Sequence, residues 1–193
     1  MILIGLTGTI GSGKTFALNF FKSKRITVFS ADEEVKKILE KRIVKKKICK
    51  LFPEAFPKKK LNKNILASIV FSNKKKLKQL ERVTHPLVKK KKNIFLSRYK
   101  NKKLIVMEIP IIFEKKSKKN YDCIVLMTVN KKIQRQRVMK RKNMTPQLFE
   151  KILSNQIPDK KKKADFIIDN NGSKVKTSKI LRKTLNKIMS TKL

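Results

Sequence analysis

The sequence predicts an α/β fold, a parallel sheet of about five strands flanked by helices. Two short runs, residues 104–108 and 123–129, are almost wholly apolar, as strands buried on both faces of a parallel sheet are. They alternate with segments whose apolar residues recur at helical spacing. A third apolar run, residues 2–7, passes through a glycine-rich turn into a helical segment.

The elements follow in order. Residues 2–7 read as a strand, 14–24 as a helix and 26–30 as a second strand. From residue 31 to about residue 99 the pattern is helical: Val35, Ile38 and Leu39 share a face, then Ile65, Ile69 and Val70, then Val88, Ile94 and Phe95. Pro53 and Pro57 punctuate this insertion, and Thr84-His85-Pro86 is expected to break it again. Strands at 104–108 and 123–129 lead to basic helices over 131–142 and 145–156. A fifth strand at 165–169 and an amphipathic helix over 173–189 complete the pattern, and no internal repeat is visible.

The 193 residues suit one globular domain with elaborations. With 52 Lys and Arg against 13 Asp and Glu, the formal net charge is +39, which raises the question of a polyanionic partner. Yet 44 of those cations are Lys and only 8 Arg, and they come with many Ile and Asn, the mark of A/T-rich codons. Residues 1–35 carry a net charge of only +1, so the remainder of the chain holds the excess. The charge therefore reads as compositional drift, and no specific nucleic-acid partner is expected. The longest apolar run, 123–129, falls far short of the roughly 18–20 residues that span a bilayer. Met1-Ile-Leu-Ile lacks a basic flank and reads as a strand, not a signal peptide, so a cytoplasmic protein without membrane partners is expected, a monomer or weak homo-oligomer. Cys49 and Cys123 show no metal or redox spacing and are expected to be reduced core thiols.

Gly8-Thr9-Ile10-Gly11-Ser12-Gly13-Lys14-Thr15 fits G-x-x-x-x-G-K-[ST] between a strand and a helix. Gly8, Gly11 and Gly13, with Ser12 among them, let consecutive N–H groups turn onto phosphate oxygens, the helix over 14–24 adds its dipole, and Phe16 in its first turn is expected among the nucleotide-binding residues. Lys14 reaches the β and γ phosphates and Thr15 ligates Mg²⁺, so ATP with Mg²⁺ is expected.

The phosphoryl acceptor must be argued from the few acids. The strand at 104–108 ends in Glu108, followed by a proline two residues on, and not in the Asp typical of motor and switch NTPases. Asp32 lies at the carboxyl end of the second strand, the edge where ligands bind in open α/β sheets. The alternative for Asp32 is helix capping, beside Glu33 and Glu34 in a first turn. Residues 131–142 hold seven basic side chains, including Arg135, Arg137 and Arg141, three of the eight arginines. Arg137 and Arg141 are four apart and are expected to share a helix face suited to gripping phosphate; the alternative is a solvated basic face.

These residues together resemble the dephospho-coenzyme A kinase family. Residues 4–15 look like its opening, Ser30-Ala31-Asp32 like its D-A-D and His85-Pro86-Leu87 like its H-P-L. Glu108-Ile-Pro110-Ile-Ile-Phe-Glu114 is similar to its P-L-L-x-E strand, residues 134–141 to its lid, and Ala164-Asp165 with residues 168–172 to its last strand. The resemblance implies transfer of the γ-phosphoryl of ATP to the 3′-hydroxyl of dephospho-CoA. It implies Asp32 as the base, Arg141 with Arg137 beside it as lid arginines, and Asn170 near the adenine. It also implies three parts: a nucleotide core (1–30, 101–130, 161–193), a helical CoA-substrate insertion (31–100) and a lid (131–160). His85, the sole histidine, is expected to bond locally or shape the substrate part rather than to act chemically. Two departures stand out: Ser30 replaces the first aspartate of D-A-D, and the Lys-rich stretch 156–165 looks shortened, which would loosen lid closure. A nucleoside or nucleotide kinase is the alternative within enzymes. A basic nucleic-acid-binding protein is the alternative outside them, disfavoured by an aromatic share of 7% without Trp and by the absence of a nucleic-acid motif.

Overall fold

The computed structural model describes residues 1–110, 112, 118–156 and 163–192. Five strands form one sheet: β1 (Ile2–Gly8), β2 (Thr27–Ser30), β3 (Leu104–Glu108), β4 (Cys123–Thr128) and β5 (Phe166–Asp169). Their order is β2-β3-β1-β4-β5 and every pairing is parallel. All five residues of β3 are buried, as its unbroken apolar run requires. Side chains alternate across the sheet. Leu104 and Val106 pack with Ile4, Leu6, Phe21 and Leu181 under α1 (Lys14–Ser23) and α8 (Lys174–Lys192). Ile105 and Met107 face the other way, onto Phe95 and Leu96 of a long helix.

Between β2 and β3 run α2 (Ala31–Glu40), α3 (Arg42–Leu51), α4 (Lys63–Ser72) and α5 (Lys74–Arg98). They enclose a core of their own, built on Ile38, Val44, Ile48, Phe52, Leu66 and Val70. Val88 of α5 packs against both this core and the sheet, which fixes the helical layer to the strands. After β4 come α6 (Lys131–Met139) and α7 (Pro146–Ser154), each with a side-chain N-cap, Asn130 and Thr145. No helix among the described residues is long and apolar enough to cross a membrane.

Three expectations are corrected. The helix α5 runs unbroken through Thr84-His85-Pro86. Pro86 removes one N–H and crowds the carbonyl of Arg82, a cost of about 3 kcal/mol. The flanking Val83, Leu87 and Val88 pack onto the helical core, and burial worth about 1.5–3 kcal/mol per apolar side chain at full cover outweighs it. Cys123 is buried as expected, but Cys49 is exposed, because Val44 and Ile48 take the inward face of α3. The helix α6 stops at Met139 and not at residue 142, so Arg141 lies beyond its end. Glu114 and most of the shortened 156–165 stretch lie outside the described residues.

Because Pro86 is exposed and its ring is not part of either core, Pro86→Ala should restore the missing hydrogen bond and stabilise the protein by about 1–3 kcal/mol. Urea unfolding measures this, and an unchanged or lower midpoint would show that the ring itself supports the fold.

Candidate active site

The carboxyl ends of the central strands meet at the turn between β1 and α1. Gly11 and Gly13 adopt left-handed backbone, with φ of 77° and 99°. Their neighbours also exclude a side chain: a Cβ on Gly11 would lie 2.7 Å from Val138 Cγ2, and one on Gly13 would collide with Asn170 Nδ2. The loop carbonyls are anchored by side-chain donors. Lys14 Nζ donates to Gly8 O (2.9 Å) and Thr9 O (3.3 Å), Gln134 Nε2 to Ile10 O (2.6 Å) and Asn170 Nδ2 to Ser12 O (2.9 Å). Such a loop is held in shape before an anion arrives, which is what a phosphate cradle at a helix N-terminus needs.

Beside it, Ser30 and Glu108 stand opposite each other in the β2–β3 register. Ser30 Oγ donates to Glu108 Oε2 at 2.6 Å and accepts the Glu33 N–H at 3.2 Å, so Ser30 caps α2. The capping alternative for Asp32 therefore fails: its carboxylate is exposed in the first turn of α2, and the cap bond is already made by its neighbour. Glu108 is only 2% exposed and accepts the Asp32 backbone N–H. Burial, with the Asp32 charge adding to it, pushes the Glu108 carboxyl up to about 7, against the pull of the Ser30 hydroxyl and Lys14. The sequence marks Glu108 only as a strand-ending acid. The signal for its role is an acid in a wholly buried strand, paired in register with a hydroxyl.

On the far side, Arg137 donates Nη2 to Asn170 O at 2.9 Å, while its Nη1 is buried with no partner among the described residues. Arg141 no longer shares a helix face with Arg137, yet both line the same cleft. Arg135 turns away to Glu150, at 3.7 Å. The cleft, of about 910 Å³, gathers Gly11, Gly13, Lys14, Thr15, Phe16, Asp32, His85, Arg137, Arg141 and Asn170. Gly8 and Ser12 are buried beneath it. His85 sits on α5 with Nε2 3.9 Å from Glu81 Oε1, and Phe71, Leu77 and Val88 give that end of the cleft an apolar wall. Gln134, Gln156 and Lys174 also reach the loop or the cleft; nothing local in the sequence singles them out.

The sequence profile of the dephospho-CoA kinase family matches residues 2–176. The dephospho-CoA kinase of Bartonella quintana is 40% identical over 173 residues, covering 88% of this chain and 89% of its own. A Thermus thermophilus protein of known structure superposes with a TM-score of 0.82 at 30% identity, covering 100% of this chain and 98% of the other. The dephospho-CoA kinase from Campylobacter jejuni does so with a TM-score of 0.60 at 27% identity, over 96% of both.

The raised Glu108 carboxyl has a sign. Folded protein holds that proton up to about 7 while unfolded chain releases it near 4.5, so the carboxyl supports the fold fully below 4.5 and progressively less as pH rises through 7. Glu108→Gln keeps an acceptor for Ser30 and the Asp32 amide without the charge. Its melting temperature should match wild type near pH 5 and exceed it increasingly toward pH 8. A gap that stays constant with pH would contradict the assignment.

Proposed function

The chain belongs to the dephospho-CoA kinase family, and on that premise we propose that its cleft transfers the γ-phosphoryl of ATP to the 3′-hydroxyl of dephospho-CoA, giving CoA and ADP, the last step of coenzyme A biosynthesis. The observation that carries this reading is one cleft, at the carboxyl edge of a single parallel sheet, holding a pre-shaped phosphate loop, two arginines and the exposed carboxylate of Asp32. The helical layer over residues 31–100 supplies an acceptor side with an apolar wall, the described residues 131–156 the lid, and the sheet with its flanking helices the nucleotide core.

In the reaction, the acceptor oxygen forms a bond to the γ-phosphorus as the bond to the β–γ bridging oxygen breaks. The acceptor's proton passes to Asp32, and the charge gathering on the phosphoryl oxygens meets Lys14, Arg137 and Arg141. Lys14 must exchange its bonds to Gly8 O and Thr9 O for phosphate oxygens, a step within one side chain's reach. His85, across the cleft from the loop, lies on the acceptor side and takes no part in proton transfer.

The residues present suit Mg²⁺. Thr15 offers a hydroxyl and Asp32 a carboxylate on the cleft wall, while no group of three or more His, Cys, Asp or Glu among the described residues forms a protein cage. Mg²⁺ characteristically binds through one or two protein oxygens, waters and substrate phosphates. It would supply charge neutralisation on the transferring group.

Asp32→Asn keeps the side chain's shape, and Ser30 retains the helix cap. The expected result is a fall in kcat of at least about 10²-fold with dephospho-CoA, within the usual range for general-base assistance. ATP affinity and melting temperature should hardly move. Steady-state ADP release checks this, and near-normal turnover would remove Asp32 from the base role.

A further inference from the structure

We propose that Thr177, on the C-terminal helix and outside the cleft, is a positioning residue for the phosphate loop, acting through Asn170. Asn170 is 6% exposed and Thr177 fully buried. The Asn170 amide is spent on both sides: Nδ2 donates to Ser12 O at 2.9 Å and Oδ1 accepts from Thr177 Oγ1 at 2.9 Å. The hydroxyl proton of Thr177 also has the Ser173 carbonyl within reach, at the longer distance of 3.2 Å. The Ser12 carbonyl can only accept and so takes Nδ2, and the Thr177 hydroxyl, by donating to Oδ1 on the other side, holds the Asn170 amide in that orientation.

That orientation matters for one peptide group. A trans peptide points its C=O and N–H in opposite directions, so a Ser12 carbonyl held against Asn170 turns the Gly13 N–H away from it, toward the side left for a phosphate oxygen. The space that Asn170 Nδ2 fills is the one a Gly13 side chain would need. The same residue's backbone carbonyl accepts from Arg137 Nη2 at 2.9 Å, so the loop, an arginine of α6 and α8 are joined at Asn170. On this view Asn170 shapes the phosphate cradle rather than recognising the base.

The inference rests on the kinase reading only in taking ATP as the ligand, and the experiment separates the two. Displacement of a fluorescent ATP analogue by ATP, ADP and adenosine is compared for the full-length wild type, Thr177→Val and Thr177→Ser. Thr177→Val keeps the volume but removes the donor, and should weaken ATP and ADP by about five- to tenfold, the size of one lost neutral hydrogen bond, with adenosine unchanged. Thr177→Ser should restore both, and the KM for ATP should follow while that for dephospho-CoA stays. Unaltered ATP and ADP binding would overturn the proposal. So would a parallel loss for adenosine, which places Asn170 on the base or Thr177 in general folding. If Thr177→Val does not fold, Thr177→Ala serves the same comparison. A wild type that binds ATP but phosphorylates no dephospho-CoA would defeat the assigned reaction and leave this comparison standing.

Discussion

A loop that offers its N–H groups to an anion must have its carbonyls held elsewhere, and the rest of this structure is arranged around that requirement. The donors come from distant parts of the chain: Lys14 from the following helix, Gln134 from α6 and Asn170 from the end of β5. Each is fixed in turn by ordinary secondary structure. The strand order brings β4, and with it α6, beside β1, and β5 beside β4, so the two amides arrive on one side of the loop. The opposite neighbour, β3, brings Glu108 and, through β2, Ser30 and Asp32. One open parallel sheet thus divides the cleft into a phosphate side and an acid side.

The acid side carries its own constraint. Two carboxyls close together at a buried edge repel, and the structure separates their circumstances: Glu108 is buried and hydrogen-bonded, Asp32 is exposed to the cleft. Ser30 does two tasks in this arrangement. Its oxygen caps α2, freeing Asp32 from that duty, and its proton goes to Glu108. An aspartate in place of Ser30, as in the family's D-A-D, could also cap the helix, but as a carboxylate it would set a third negative charge against Glu108. The serine therefore eases an electrostatic conflict at the edge where Asp32 faces the cleft.

What could be read from the sequence was what is local. The loop was legible because its eight residues carry their own mechanism, and Asp32 because strand and helix periodicities change there. The arginine pair stood out against a lysine-rich background, although the helix beneath it ends at Met139, before Arg141. Long-range bonds were not legible: Gln134 lies 124 residues from Ile10 and Asn170 158 from Ser12, and although both fall in segments that resemble the family's, nothing local shows which loop carbonyl each holds. Pro86 misled because its backbone cost is visible in sequence while the packing of Val83, Leu87 and Val88 that offsets it is tertiary. Cys49 misled for the same reason, since its apolar character says nothing of which face of α3 the core selects.

Whether this cleft selects one acceptor is tested most simply by an acceptor panel. Purified protein with ATP and Mg²⁺ is given dephospho-CoA, adenosine, nucleoside monophosphates or pantetheine phosphate, and both ADP and the phosphorylated product are quantified. Dephospho-CoA alone should give rapid ADP release matched mole for mole by CoA. Equal or faster transfer to a nucleoside monophosphate, or ADP release indifferent to any acceptor, would contradict the account.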